Sequence, residues 1–248
     1  MMIKEIIKLI RVKQWIKNFF VFGPIIFSRH LFELQYIHFA VIAFLSFCFL
    51  SSSIYVINDI VDRNTDRLHP DKKKRPIASG KISPVSGLVI FSILILCSIY
   101  LNSFLGEMFW LISASYFLLN IFYTFWFKHI VLLDVFSIAG GFMLRVVGGA
   151  AAISVIASPW LIICTLFVSL FLGFAKRRSE LVNMNSDGGS LTRKVLDDYD
   201  IAFLDIMLMI TASGMAISYS LYTVSERTIK ELNTENLIYS TVFVLYGI

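Results

Sequence analysis

The chain has 248 residues, 57% hydrophobic and 15% aromatic, with a formal net charge of +5. Soluble domains are usually about 45–50% apolar, so this composition excludes an ordinary soluble enzyme and predicts an all-α, polytopic transmembrane bundle. The small positive excess is confined to a few stretches, and no nucleic-acid partner is expected.

A membrane span needs about 20 mostly apolar residues to cross roughly 30 Å of hydrocarbon. Apolar runs at 15–28, 37–58, 84–104, 108–127, 131–152, 158–176, 201–222 and 237–248 predict eight spans in a single membrane domain covering 1–248. The first is short and carries Pro24, and the last reaches Ile248 with no polar residue to end it, as expected of a chain cut inside a span. The N-terminus has a basic head, but Gln14, Trp15, Lys17 and Asn18 interrupt its apolar stretch and no A-x-A-like cleavage site follows. A signal anchor or first span is expected there, not a cleaved leader. Cys48, Cys97 and Cys164 lie far apart inside apolar runs, as small buried hydrophobes do.

Lys and Arg gather in alternate loops: Lys4, Lys8, Arg11, Lys13 and Lys17; then Arg63 to Lys81; then Lys128; then Lys176, Arg177, Arg178, Arg193 and Lys194. The loops between them hold Arg29 and Glu107. The positive-inside rule assigns the basic loops and the N-terminus to the cytoplasm. The chemically suggestive stretches fall on that same face.

The run Asn58-Asp59-Ile60-Val61-Asp62-Arg63-Asn64-Thr65-Asp66 closes the second apolar stretch. Acids spaced three and four apart share one helix stripe. Their repulsion in a low-dielectric setting is unfavourable unless a cation lies between them. Mg²⁺ suits that need, because it prefers oxygen ligands and is commonly held by one or two carboxylates plus substrate phosphates. The alternative is a solvated helix end paired with Arg63 and Arg67. Pro70 ends the helix, biases His69 toward an extended backbone, and opens an ordered loop with Pro76, Gly80 and Pro84 as turn points. In that loop, residues 59–83 together, Lys72 and Arg75 suit anionic oxygens. Binding of anionic lipid heads is the competing reading.

These residues resemble the N-D-x-x-D-x-x-x-D signature of the UbiA superfamily of intramembrane prenyltransferases. "RVKQWIKN" (11–18), the H-P-x-K-x-x-R-P-I-A-S-G extension, "YTFWFKH" (123–129), "DVFSIAGGFMLRVVGGA" (134–150) and "FAKRRSEL" (174–181) are similar to its decaprenyl-phosphate phosphoribosyltransferase branch. The resemblance implies a nine-helix fold, about eight spans of which are present, with a central cavity and a Mg²⁺-bound diphosphate. It also implies transfer of 5-phosphoribose from phosphoribosyl diphosphate (PRPP) to a polyprenyl phosphate, with release of diphosphate. A bacterial inner-membrane location goes with it. Members that activate a prenyl diphosphate usually carry a second D-x-x-x-D pair. Here Asp134 is followed four residues later by Ile138.

Asp134 and Arg145 are eleven residues apart, about three turns, and so share a helix face. Intramembrane ionisable groups usually face a cavity or a partner, so these two either line the substrate cavity or pair with neighbouring helices. Lys128 should sit at the cytoplasmic mouth of that span, with Tyr123 about a turn before it. Gly140, Gly141, Gly148 and Gly149 read as close-packing positions. Lys176, Arg177 and Glu180 end a span and open a second cytoplasmic loop, 177–200, as interface anchors or as part of a head-group pocket.

Asp59, Asp62 and Asp66 are thus the expected catalytic metal ligands, and Asn58 orients a carboxylate or phosphate. Lys17, Lys72, Arg75, Tyr123, Lys128, Asp134, Arg145, Lys176 and Arg177 are the expected substrate-binding set. Two other readings use the same acids: prenyl transfer to an aromatic acceptor, and a non-catalytic lipid binder or carrier with a cation site. Membrane lipids are expected neighbours, and an oligomer is compatible with the sequence.

Overall fold

In the computed structural model, residues 2–28, 30–186, 194–196 and 198–247 are described. The elements in order are α1 (Met2–Leu9), a 3₁₀ segment (Val12–Phe22), α2 (Gly23–Phe27), α3 (Leu34–Val61), α4 (Arg63–Leu68), a 3₁₀ turn (Lys72–Lys74), α5 (Pro84–Asn102) and α6 (Glu107–Phe125). A 3₁₀ turn (Phe127–His129), α7 (Leu133–Ala152), α8 (Pro159–Ser186) and a 3₁₀ turn (Lys194–Leu196) follow. The rest is α9 (Ile201–Val224), α10 (Glu226–Leu232), a 3₁₀ turn (Asn236–Ser240) and α11 (Thr241–Gly247). Among the described residues there are only helices and their connections.

Six helices, α3 and α5 to α9, are long and apolar enough to cross a membrane. This corrects the expectation of eight spans at the N-terminal end. The predicted 15–28 span is a 3₁₀ segment followed by one short helix. Polar Lys17 and Asn18 interrupt its apolar run, and Pro24 sits at the start of α2, where its missing N–H is harmless. The predicted 237–248 stretch is a 3₁₀ turn followed by α11, apolar and helical as far as it is described; Ile248, like Arg29 and Arg193, lies outside the described residues.

α3 and α7 are the most buried of the six. α3 packs chiefly on α5, α7 on α6 and α8, and α8 on α9. The 3₁₀ segment Val12–Phe22 lies between α3 and α7. It is tied to the Ser51-Ser52 stretch of α3: Trp15 Nε1 donates to Ser52 Oγ at 3.0 Å, Ser52 Oγ to the Ile10 carbonyl at 2.8 Å, and Asn18 Nδ2 to Ser51 Oγ at 3.2 Å. Toward the other end, Ser46 donates to Asn102 Oδ1 at 2.5 Å and Asn102 Nδ2 to Ser113 at 2.9 Å. Small hydroxyl and amide side chains of this kind join helices where apolar burial gives no preference between helix and lipid.

Helix length positions the functional residues. At 1.5 Å per residue, 28 residues make about 42 Å, more than the roughly 30 Å of hydrocarbon. Both α3 and α8 have 28 residues, so their charged C-terminal turns extend past the apolar layer. Lys176, Arg177 and Glu180 therefore lie within a helix that runs on to Ser186, rather than opening a loop at 177. The remainder of the expected 177–200 loop contains residues outside those described.

Of the four expected packing glycines, Gly148 and Gly149 have no room for a side chain. A Cβ at Gly148 would lie 2.7 Å from the Phe47 ring, and one at Gly149 only 2.0 Å from the Val21 carbonyl oxygen. The backbone at Gly149 has no flexible neighbour to yield. Gly149→Ala should therefore destabilise the bundle by about 1–3 kcal/mol or more, read as a fall in detergent-solubilised melting temperature. Gly106→Ala, where a Cβ meets nothing within 4 Å, should leave that temperature unchanged.

Candidate active site

The acidic stripe survives a break in the helix. Asp62 ends α3 with φ −85° and ψ 6°, and α4 begins at the next residue. The amide of Asp62 still donates to the Asn58 carbonyl at 2.9 Å, and that of Asp66 to the Asp62 carbonyl at 2.8 Å. The i to i−4 pattern thus carries across the junction, and the three carboxylates stay on neighbouring turns.

Asp59 and Asp66 are 2% and 3% exposed, a burial that an ionised carboxylate tolerates only with charged partners. Those partners come from segments distant in sequence. Arg11, in a left-handed conformation immediately before the Val12–Phe22 segment, pairs with Asp59. Arg75 Nη1 reaches Asp59 Oδ1 at 3.1 Å and Asp66 Oδ2 at 2.7 Å. Lys128 Nζ meets Asp62 Oδ1 at 2.8 Å and is itself buried. Asn58 is half-buried on the turn beside Asp59. Hence the expected row of three divides: Asp59 and Asp66 converge on one cationic atom, and Asp62 turns to another.

The loop that supplies Arg75 is ordered as predicted. His69 is extended at φ −83° and ψ 134° before Pro70. Its Nδ1 accepts from the amides of Asp71 at 3.2 Å and Lys72 at 3.5 Å. Burial, then the adjacent Lys72 charge, hold His69 below the usual imidazole range, as an accepting ring nitrogen requires. Gly80 turns the chain at φ +78°, a conformation glycine adopts without steric cost. Arg67 Nε donates to the Ala78 carbonyl at 3.0 Å, and Ile77 is fully buried. From α1, Lys8 reaches the Lys74 carbonyl and Glu5 pairs with Lys81, both at 2.8 Å; the Lys81 bond draws the Glu5 carboxyl below its usual range.

Asp134 and Arg145 both lie on α7 and are both buried, but they serve different partners. Asp134 is bound by Arg177 Nε and by the Tyr199 hydroxyl, and Arg177 Nη1 also meets Glu180. This is the helix-pairing arrangement for Asp134, joining α7 to α8. Arg145 has no carboxylate partner among the described residues. Its Nε donates to Asn18 Oδ1 at 2.7 Å, its Nη2 to the Tyr116 hydroxyl at 2.6 Å, and its guanidinium lies 4.8 Å from the Tyr116 ring centroid. Exposed Lys17 feels the charges of Lys176, Arg145 and Arg11. Among the described residues, Lys176 pairs with Glu180 at 3.8 Å. Tyr123 is half-buried on the last turns of α6, close enough to influence Arg177.

Sequence reasoning passed over Asn18 as a site residue, although it lies in the "RVKQWIKN" stretch. It missed Tyr116 and Tyr199 altogether, since an aromatic in an apolar chain reads as core.

Among the described residues, no three His, Cys, Asp or Glu side chains form a metal cage. Mg²⁺ does not require one: one or two carboxylates with water and phosphate oxygens are its common ligand set. Asp59 and Asp66, already bridged by a single guanidinium nitrogen, present a donor pair of that kind. The residues present fit a divalent ion.

Residues 19–191 match the UbiA prenyltransferase family. The chain is 31% identical over 237 residues to the decaprenyl-phosphate phosphoribosyltransferase of Mycolicibacterium smegmatis, covering 94% of this chain and 74% of that one. It is 34% identical over 221 residues to the protein of the same name from Corynebacterium glutamicum, covering 87% of this chain and 66% of that one. Its fold is similar to that of a UbiA homolog from Archaeoglobus fulgidus bound to GPP and Mg²⁺, with a TM-score of 0.76 at 19% identity over 98% of this chain and 87% of that one. An α-helical bundle with six apolar spans, an acidic helix end threaded with cations, and these likenesses together establish that the chain is an integral membrane transferase of the UbiA prenyltransferase family.

Proposed function

We propose that this protein transfers 5-phosphoribose from PRPP to a polyprenyl phosphate, with Mg²⁺, at the cytoplasmic face of a bacterial inner membrane. The observation that carries the reading is the interleaving of charge at one end of α3. Three carboxylates meet Arg11, Arg75 and Lys128, which come from three separate segments. The names of the relatives supply the substrate class, and the gathering of basic residues at that same end supports a cytoplasmic orientation.

In the reaction, the bond from ribose C1 to the diphosphate oxygen breaks, and a phosphate oxygen of the acceptor forms the new bond to C1. Diphosphate leaves with the electron pair. Asp59 and Asp66 would hold Mg²⁺, which supplies neutralisation of charge on the leaving diphosphate. Arg75 and Arg11 are suited to bidentate contact with phosphate oxygens, and Lys128 and Lys72 to point-charge contact. Asn58 offers an amide to a phosphate or carboxylate on the same turn. Cations aimed at the leaving group stabilise charge that grows as the bond breaks.

The acceptor is already an anion and needs no general base, consistent with a site built from Arg, Lys and Asp. Lys17, Lys176 and Arg145 feel one another's charge and, among the described residues, meet no carboxylate except in the Lys176–Glu180 contact; they would supply the second cationic group, suited to the acceptor phosphate. The polyprenyl tail would lie along the exposed apolar flanks of the spans. Asp134 and Arg177 hold α7 against α8. Tyr123 adds a hydroxyl near Arg177.

Asp59→Asn and Asp62→Asn should each lower turnover by at least a hundredfold while the protein remains inserted and monodisperse. Near-normal turnover in both would reject the acidic helix end as the reaction site. Purified protein given PRPP and polyprenyl phosphate should yield a polyprenyl phosphoribose by mass spectrometry, and chelation of divalent ions should stop it. Product from polyprenyl diphosphate and 4-hydroxybenzoate instead would favour aromatic prenylation. Binding without any covalent product would favour a carrier.

A further inference from the structure

Leu132, which directly precedes α7, has φ +68° and ψ −47°. For a residue with a branched side chain this approaches the rare γ-turn, a conformation costing on the order of 1–3 kcal/mol that persists only when its surroundings over-determine it. The turn lies four residues after Lys128, whose 3₁₀ turn feeds directly into it. Its carbonyl accepts from the amides of Val135 and Phe136 at 3.0 and 2.8 Å, so the forward side is held by α7. Its own N–H is held from elsewhere: it donates to the Tyr199 hydroxyl at 2.9 Å.

The same hydroxyl donates to Asp134 Oδ1 at 2.6 Å, and Asp134 Oδ2 is bound by Arg177. The Tyr199 oxygen thus accepts from the strained turn and donates into a buried ion pair. Tyr199, Val195 and Leu196 are buried in one cluster with Val135, Ala139 and Phe174, which seats this segment against α7 and α8. Burial, and then the bond to Asp134, push the Tyr199 hydroxyl above the usual phenol range. It therefore stays a donor throughout the physiological range.

We infer that Tyr199 is a positioning residue for the reaction: by holding the Leu132 turn in its strained form, it fixes where Lys128 presents its ammonium to Asp62. This rests on the reading of Asp62 and Lys128 as part of the reaction site. A purely structural Tyr199 would stabilise the junction of α7 and α8 without regard to Lys128. The two roles separate in a double-mutant cycle, because residues acting through one another lose additivity.

Tyr199→Phe keeps the ring and removes only the hydroxyl. Turnover of PRPP and polyprenyl phosphate is measured for the full chain in lipid nanodiscs, per folded protein. Tyr199→Phe should lower kcat about tenfold in the native background and less than twofold in the Lys128→Ala background. Equal losses in both backgrounds, or no loss in the native one, would overturn the inference while leaving the site reading intact. Full activity of Lys128→Ala alone would overturn both. If Tyr199→Phe does not accumulate as folded protein, Leu132→Gly, which relaxes the strained turn directly, takes its place in the cycle with the same expected and contrary outcomes.

Discussion

Everything at the functional end of this bundle depends on the electrostatics of three carboxylates near one helix terminus. Two are nearly inaccessible to water, where an isolated ionised acid is strongly disfavoured. Their partners are arginines and a lysine from the N-terminal segment, the loop after α4 and the turn before α7. Neutralising the acids therefore also folds those segments over the end of α3. One interaction both relieves the repulsion and assembles a surface dense in donors for phosphate.

The remaining polar residues of the core divide by partner. Asp134 and Arg177 neutralise one another across α7 and α8. Breaking such a buried pair costs about 3–5 kcal/mol, although the pair itself adds little net stability. Arg145 is held by an amide, a phenol and an aromatic face, which fix its direction without cancelling its charge. A buried cation left with its charge is suited to receive an anion. Among the described residues, the core thus holds one self-neutralised pair and one arginine without a carboxylate partner.

Much of this was legible in the sequence because charge inside apolar surroundings is costly and so carries information. The acids from 59 to 66, the loop with Arg75, and the long helices with their packing glycines all stand out on that ground. Hydropathy reports where a helix leaves hydrocarbon, not where its hydrogen bonding stops. For that reason the overrun of α8 to Ser186 and the 3₁₀ form of Val12–Phe22 were not legible. Neither was the division of the acidic row, since spacing on a helix cannot say which distant arginine each carboxylate will meet. Tyr116 and Tyr199 give no signal at all: only the fold shows their hydroxyls bonded to Arg145 and Asp134.

The central claim is that Asp59 and Asp66 hold a divalent ion together with the diphosphate of the donor. Calorimetric titration of PRPP into the purified protein, with and without Mg²⁺, tests it without reference to turnover. The account predicts binding that requires Mg²⁺ in the native protein and is lost in Asp66→Asn. Binding of equal strength without Mg²⁺, retained in that variant, would contradict it.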